Sequence, residues 1–311
     1  MITAEGLTKY FDNFLAVDHV NLNVPEGRVL VLLGKNGAGK TTTVRMLTSI
    51  LRPSSGTAHV AGFDVVTQAD RVRASVGVLT EHHGLYGRMN SGEYLEFFGD
   101  LYGLKRADIR KRTSELLEMF GLEEARKKRL SEYSKGMRQK LALIRALIHD
   151  PPVLLLDEPT SAMDPESSRV VRDAIGRLRN SGRTILLCTH NLYEGEELAD
   201  HVAIIQEGKI ILDGSVEEVK QNLLGPPEFE ARLAGSPNGW NPRLPEGVEL
   251  RALGEDWLRF RVKDPVKANP LLLKALLEQN LAVIVFQEVP RSLEQAFLGA
   301  IKLADDEATH V

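Results

Sequence analysis

The chain has 311 residues, of which 43% are apolar and 26% charged, with a formal net charge of −4. Such a length and balance suit one large or two smaller globular domains with a sizeable core. They give no general attraction to nucleic acid or to an anionic membrane surface, and nucleic acid is not expected as a partner. The single cysteine, Cys188, excludes an internal disulfide and a cysteine-rich metal site.

The first residues, Met1-Ile2-Thr3-Ala4-Glu5, lack a basic region followed by an apolar run, so no secretory leader is expected. No uninterrupted apolar run approaches membrane-spanning length, so any membrane role needs a partner that supplies the spanning part. Residues 2–24 alternate partly and break at Asp12-Asn13 and Pro25-Glu26-Gly27, which predicts antiparallel strands. Tyr10, just before the first break, either covers surface or stacks on a nucleobase.

Val29-Leu30-Val31-Leu32-Leu33 is a buried strand that runs into Gly34-Lys35-Asn36-Gly37-Ala38-Gly39-Lys40-Thr41-Thr42. This Gly-x-x-x-x-Gly-Lys-Thr pattern between a strand and a helix predicts a phosphate cradle. Gly34, Asn36, Gly37, Ala38, Gly39 and Thr42 belong to the loop and the helix start, whose backbone N–H groups face the phosphates. Lys40 is placed to reach the β- and γ-phosphates, and the Thr41 hydroxyl to join a Mg2+ shell.

A helix over 40–50, a strand around Thr57–Val60, a helix over Gln68–Ala74 and a strand at Val76–Leu79 follow. Residues 91–120 predict two helices broken near Gly103. The run Arg126-Lys127-Lys128-Arg129 is either a solvated face or a contact for an acidic partner. Ser134 reads as the N-cap of a helix reaching Ile148, and Gly136 keeps that start free of bulk. The helix start suits either an ordinary cap or a phosphate.

Val153-Leu154-Leu155-Leu156 predicts a second buried parallel strand that ends in Asp157 and Glu158. Beside a phosphate loop the two carboxylates divide their work: Asp157 supports Mg2+, and Glu158 accepts a proton from attacking water or orients it. A third buried strand, Thr184–Cys188, places His190 at its end, either as a γ-phosphate sensor in the same crevice, the preferred reading, or as a buried histidine hydrogen-bonded within the core. A hairpin over Val202–Leu212 and a helix from Ser215 close the first domain. Gly225-Pro226-Pro227 marks a boundary, giving domains 1–224 and 225–311. The second carries strands at 228–233, 248–253 and 257–262, a helix at 267–279, a strand Ala282–Phe286 and a short helix from Ser292.

With these parts in order, residues 2–223 resemble the ATP-binding subunits of ABC transporters. Gly34–Thr41 and Val153–Glu158 match the two nucleotide motifs, and Tyr133-Ser134-Lys135-Gly136-Met137 stands where the Leu-Ser-Gly-Gly-Gln signature does. Ser161-Ala162-Met163-Asp164 matches the segment that meets the opposite subunit, His190 the switch histidine, and Tyr10 the adenine-stacking aromatic. The resemblance implies an α/β P-loop NTPase core with an antiparallel β subdomain and a helical subdomain (about 88–150), followed by a small C-terminal α+β domain. It implies ATP and Mg2+ as cofactors, hydrolysis to ADP and phosphate, and a head-to-tail dimer in which Ser134 and Gly136 act on the partner's ATP.

The Tyr-Ser-x-Gly-Met signature is similar to that of the branch serving ABC-2 type exporters, and so is the tail ending in Ser292-Leu293-Glu294-Gln295-Ala296-Phe297-Leu298. Members of that branch power a separate multi-helix permease from the cytoplasmic face of the plasma membrane. Glu81 stands where most members carry a glutamine between the Mg2+ site and the membrane subunit. The resemblance implies a Mg2+ contact and a coupling role for Glu81, although a carboxylate there adds charge near the ion and donates no amide hydrogen bond.

Overall fold

The computed structural model describes residues 1–80, 84–161, 163–237, 240, 243–298 and 300. The chain divides into two compact units, Met1–Val216 and Glu217–Val311.

In the first unit, β1 (Ile2–Phe11) and β2 (Phe14–Val24) form a hairpin whose alternate residues Ile2, Ala4, Val20, Leu22 and Val24 are buried. β3 (Val29–Leu33) follows, then α1 (Lys40–Leu47), β4 (Ser55–Val60) and β5 (Phe63–Asp64). Helix α1 stops short of residue 50 because Ser49 turns to φ 57°. β1, β2, β4 and β5 make an antiparallel sheet in the order β2-β1-β4-β5.

After α2 (Ala69–Ser75) and β6 (Val76–Leu79) come three helices: α3 (Ser91–Leu101), α4 (Arg106–Met119) and α5 (Lys135–Leu147). Asn90 caps α3 in a capping box with Glu93, and the Ser134 hydroxyl caps α5 by accepting from the Met137 N–H. Then β7 (Val153–Asp157), α6 (Pro165–Asn180), β8 (Thr184–Thr189), α7 (Leu192–Leu198), β9 (His201–Gln206) and β10 (Lys209–Gly214) complete a six-stranded sheet. Its order is β10-β9-β3-β8-β7-β6, parallel except for the β9–β10 hairpin.

Every residue of β3, β7 and β8 is buried, as expected of parallel strands covered on both faces. Their register pairs Leu33 with Thr189 and Asp157 with Cys188, so the three carboxyl ends finish at one edge of the sheet. That edge is where open α/β sheets place ligands. The unit is a P-loop NTPase fold with an antiparallel sheet and a helical subdomain.

The second unit opens with α8 (Val216–Leu224), whose first residue closes the first unit, and builds a sheet from β11 (Glu228–Leu233), β12 (Val248–Leu253), β13 (Trp257–Val262) and β14 (Val283–Glu288). The order is β12-β13-β11-β14, all antiparallel. Helix α9 (Pro265–Glu278) supplies Ala268, Leu272 and Leu276 to a core with Phe229, Leu258, Phe260 and Val262. It begins two residues before the expected start because Asp264 caps it and Pro265 suits the first helical position. Among the described residues, no helix is long and apolar enough to cross a membrane.

Candidate active site

The phosphate-loop turn is shaped by close backbone approaches. A Cβ on Gly34 would lie 2.6 Å from the Ile205 carbonyl oxygen. Gly39 sits at φ 109°, where a Cβ would also lie 2.8 Å from the Ala16 carbonyl oxygen. Both positions therefore require glycine. Ala38 is fixed by its N–H, which donates to Lys35 O, and by its carbonyl, which accepts from Gly208 N.

The loop borders a cavity of about 580 Å³ lined by Asn36, Gly37, Gly39, Lys40, Thr41 and Thr42, and by Asp157, Glu158, Ser161 and His190 from the sheet edge. Lys40 is buried, and its Nζ donates to Gly34 O at 2.5 Å and Lys35 O at 3.1 Å, with Glu158 Oε1 3.8 Å away. The Thr41 hydroxyl donates to Asp157 Oδ2 at 2.7 Å. His190 Nδ1 lies 2.8 Å from Glu158 Oε1. Segments far apart in sequence thus put Lys40, the Thr41 hydroxyl, the carboxylates of Asp157 and Glu158 and the His190 imidazole around one space.

A divalent ion is tested by this donor set. Thr41 and Asp157 offer two hard oxygens already in contact, which suits Mg2+ completing its shell with water and substrate phosphate. Among the described residues no group of three His, Cys, Asp or Glu side chains is arranged as an all-protein metal cage.

Two fully buried groups back the site. Cys188, paired in register with Asp157, has its thiol pushed well up by burial, so it is a hydrophobic wall rather than a nucleophile. Burial also raises Glu194, whose carboxyl faces the hydroxyls of Thr189 and Thr160.

The aromatic wall differs from the sequence expectation. Phe11 and Phe14, a cross-strand pair at the hairpin, line the cavity together with Ala16, whereas Tyr10 does not. Adjacent strand positions face opposite sides, so only one of Tyr10 and Phe11 can face it. Ser134 and Gly136 also stand outside this lining, at the start of α5. Glu81 lies outside the described residues. Sequence reasoning passes over Phe11, Phe14 and Gln139, and reads Ser161 as part of the segment that meets the opposite subunit, whereas it lines this chain's own cavity. An aromatic in period-two register was the available signal for Phe11; Gln139, which donates to the carbonyls of Glu158 and Pro159, left none.

A phosphate loop and paired strand-end carboxylates on this fold define a P-loop ATPase. The sequence pattern of the family described as "ABC transporter" matches residues 17–161. The daunorubicin/doxorubicin resistance ATP-binding protein DrrA of Streptomyces peucetius is 37% identical, over 99% of this chain and 94% of that protein. The Nod factor export ATP-binding protein I of Ralstonia nicotianae is 34% identical, over 96% and 92% respectively. A solved structure described as an ATP-binding subunit of an ABC transporter superposes with a TM-score of 0.68 at 26% identity, over 72% of this chain and 94% of that one. The chain belongs to the ABC transporter family as an ATP-binding subunit, an ATPase.

Proposed function

We propose that this subunit hydrolyses ATP to power export through a separate ABC-2 type permease, docked peripherally on the cytoplasmic face of the membrane. The observation that carries the chemistry is the Thr41–Asp157 contact at 2.7 Å, with Lys40 and Glu158 beside it in one cavity. The loop N–H groups and Lys40 bind the phosphates, and Phe11 offers its face to the adenine. Glu158 takes the proton from the water that attacks the γ-phosphorus, and His190 orients Glu158 and the γ-phosphate through its ring nitrogens. Thr41 and Asp157 would hold Mg2+, which when bound neutralises phosphate charge.

Two copies pair head to tail. Support comes from Ser134 and Gly136, which stand outside the cavity of their own chain and gain a nucleotide only from a partner. The N-terminus of α5 then adds its dipole and N–H groups to the partner's γ-phosphate. Domains 1–224 and 225–311 act as motor and accessory module, and Glu81 serves coupling to the permease. Export is favoured by the relatives named for drug resistance and Nod factor export, which match over nearly the whole chain.

Affinity purification of the tagged full chain from membranes tests the partner. A multi-helix membrane protein retained in stoichiometric amount is the expected result. Retention of ribosomes, with no polytopic protein, would contradict it.

A further inference from the structure

Glu158 occupies the left-handed region at φ 53°, which is strained for a residue with a Cβ and persists only where its surroundings hold it. The holding groups are identifiable. On one side the Glu158 N–H donates to Cys188 O at 2.8 Å, in β8. On the other, the Gln139 side-chain nitrogen donates to Glu158 O at 3.1 Å and to Pro159 O at 3.0 Å. Gln139 is only 6% exposed and lies on α5, the helix that begins after Ser134. A carboxamide nitrogen carries two N–H donors, which matches two consecutive carbonyls. The Glu158 carboxylate meanwhile points at His190 and Lys40. Its direction therefore follows from a backbone conformation that a helix of the other subdomain clamps.

We propose that Gln139 is the positioning residue for Glu158. Its carboxamide fixes the Glu158–Pro159 turn so that the carboxylate faces the phosphate loop, and it joins the Ser134 helix to the turn that activates water. Gln139 does not line the cavity and needs no contact with nucleotide. The assignment rests on Glu158 being the base, as proposed above.

The test is phosphate release from MgATP by the full chain. Gln139→Met removes both donors at similar volume. It should lower kcat at least about tenfold, while half-saturating MgATP moves less than about threefold. In a Glu158→Gln background the same substitution should lower the residual rate no further, because its route to the chemistry is already lost. A kcat within about twofold of the parent overturns the proposal, as does an equal loss in both backgrounds. If Gln139→Met does not fold, Gln139→Asn decides: it keeps the amide but withdraws it by one methylene, and should lose several-fold in kcat. An unchanged kcat in that variant overturns the proposal. Full turnover by Glu158→Gln alone overturns the base assignment itself, a result that Gln139→Met cannot mimic.

Discussion

Two of the three sheets among the described residues solve the same burial problem in opposite ways. In the first unit β3, β7 and β8 are parallel, buried on both faces, and apolar except at the terminal residues Asp157, Thr184 and Thr189. In the second, all four strands are antiparallel; one face packs on α9, and the strands are cross-linked by charge. Glu228 pairs with Arg261 and Arg251, and Glu230 with Arg259 and Arg232. Chemistry collects where buried parallel strands release their last residues into a crevice. A sheet with an ion-paired face has its polar groups already matched to one another, which suits structure or contact rather than turnover.

The largest effect that could break this contrast lies at Lys40. Lys40→Ala removes a buried cation from the cavity and should weaken MgATP binding at least about thirtyfold in a fluorescent-nucleotide titration. Arg259→Ala should leave that titration unchanged, and a reversal of the two results would end the distinction. Next in size, Leu272→Ala empties a fully buried site on α9 and should cost about 2–5 kcal/mol within the second unit. Hydrogen exchange would locate the loss in β11–β14, with MgATP affinity held within about twofold.

A smaller effect depends on pH. Burial pushes His149 down from its ordinary 6.5 to about 4, and its ring stacks on Tyr102 while Nε2 meets the Val76 carbonyl. The folded state thus favours the neutral ring, whereas the unfolded chain takes up the proton first. Stability is therefore fully present above about pH 6.5 and is lost as pH falls toward 4. With part of the ring exposed, lowering pH from 7 to 5 should cost on the order of 1 kcal/mol. Denaturant midpoints at the two pH values, compared with His149→Leu, would show that slope or its absence. The smallest effect belongs to the sheet of the second unit: a double-mutant cycle on Glu230 and Arg259 should give under about 1 kcal/mol.

The same contrast explains what the sequence made legible. Val29–Leu33, Val153–Asp157 and Thr184–Thr189 announce themselves as apolar runs, and the residues that follow them carry the site. The strands at 228–233, 248–253 and 257–262 were equally plain from composition and turns. Their ion pairs were not, because Glu228 meets Arg261 only through the order β12-β13-β11-β14, which no local pattern specifies. Tyr10 is the aromatic that the resemblance points to, and its neighbour Phe11 is the one that lines the cavity; the register shift of β1 between Lys9 and Tyr10 blurs the alternation that separates the two. Gln139 escaped notice because its partners are backbone carbonyls, and these carry no residue-type signature.

The central claim is that the phosphate loop and the β7 carboxylates form one working ATP site, with Glu158 as its base. Glu158→Gln in the full chain tests it most directly, with phosphate release and light scattering followed together in MgATP. Turnover should fall by about a hundredfold or more while nucleotide still binds, and the chain should accumulate as an ATP-dependent dimer. Unchanged phosphate release from that variant would contradict the account.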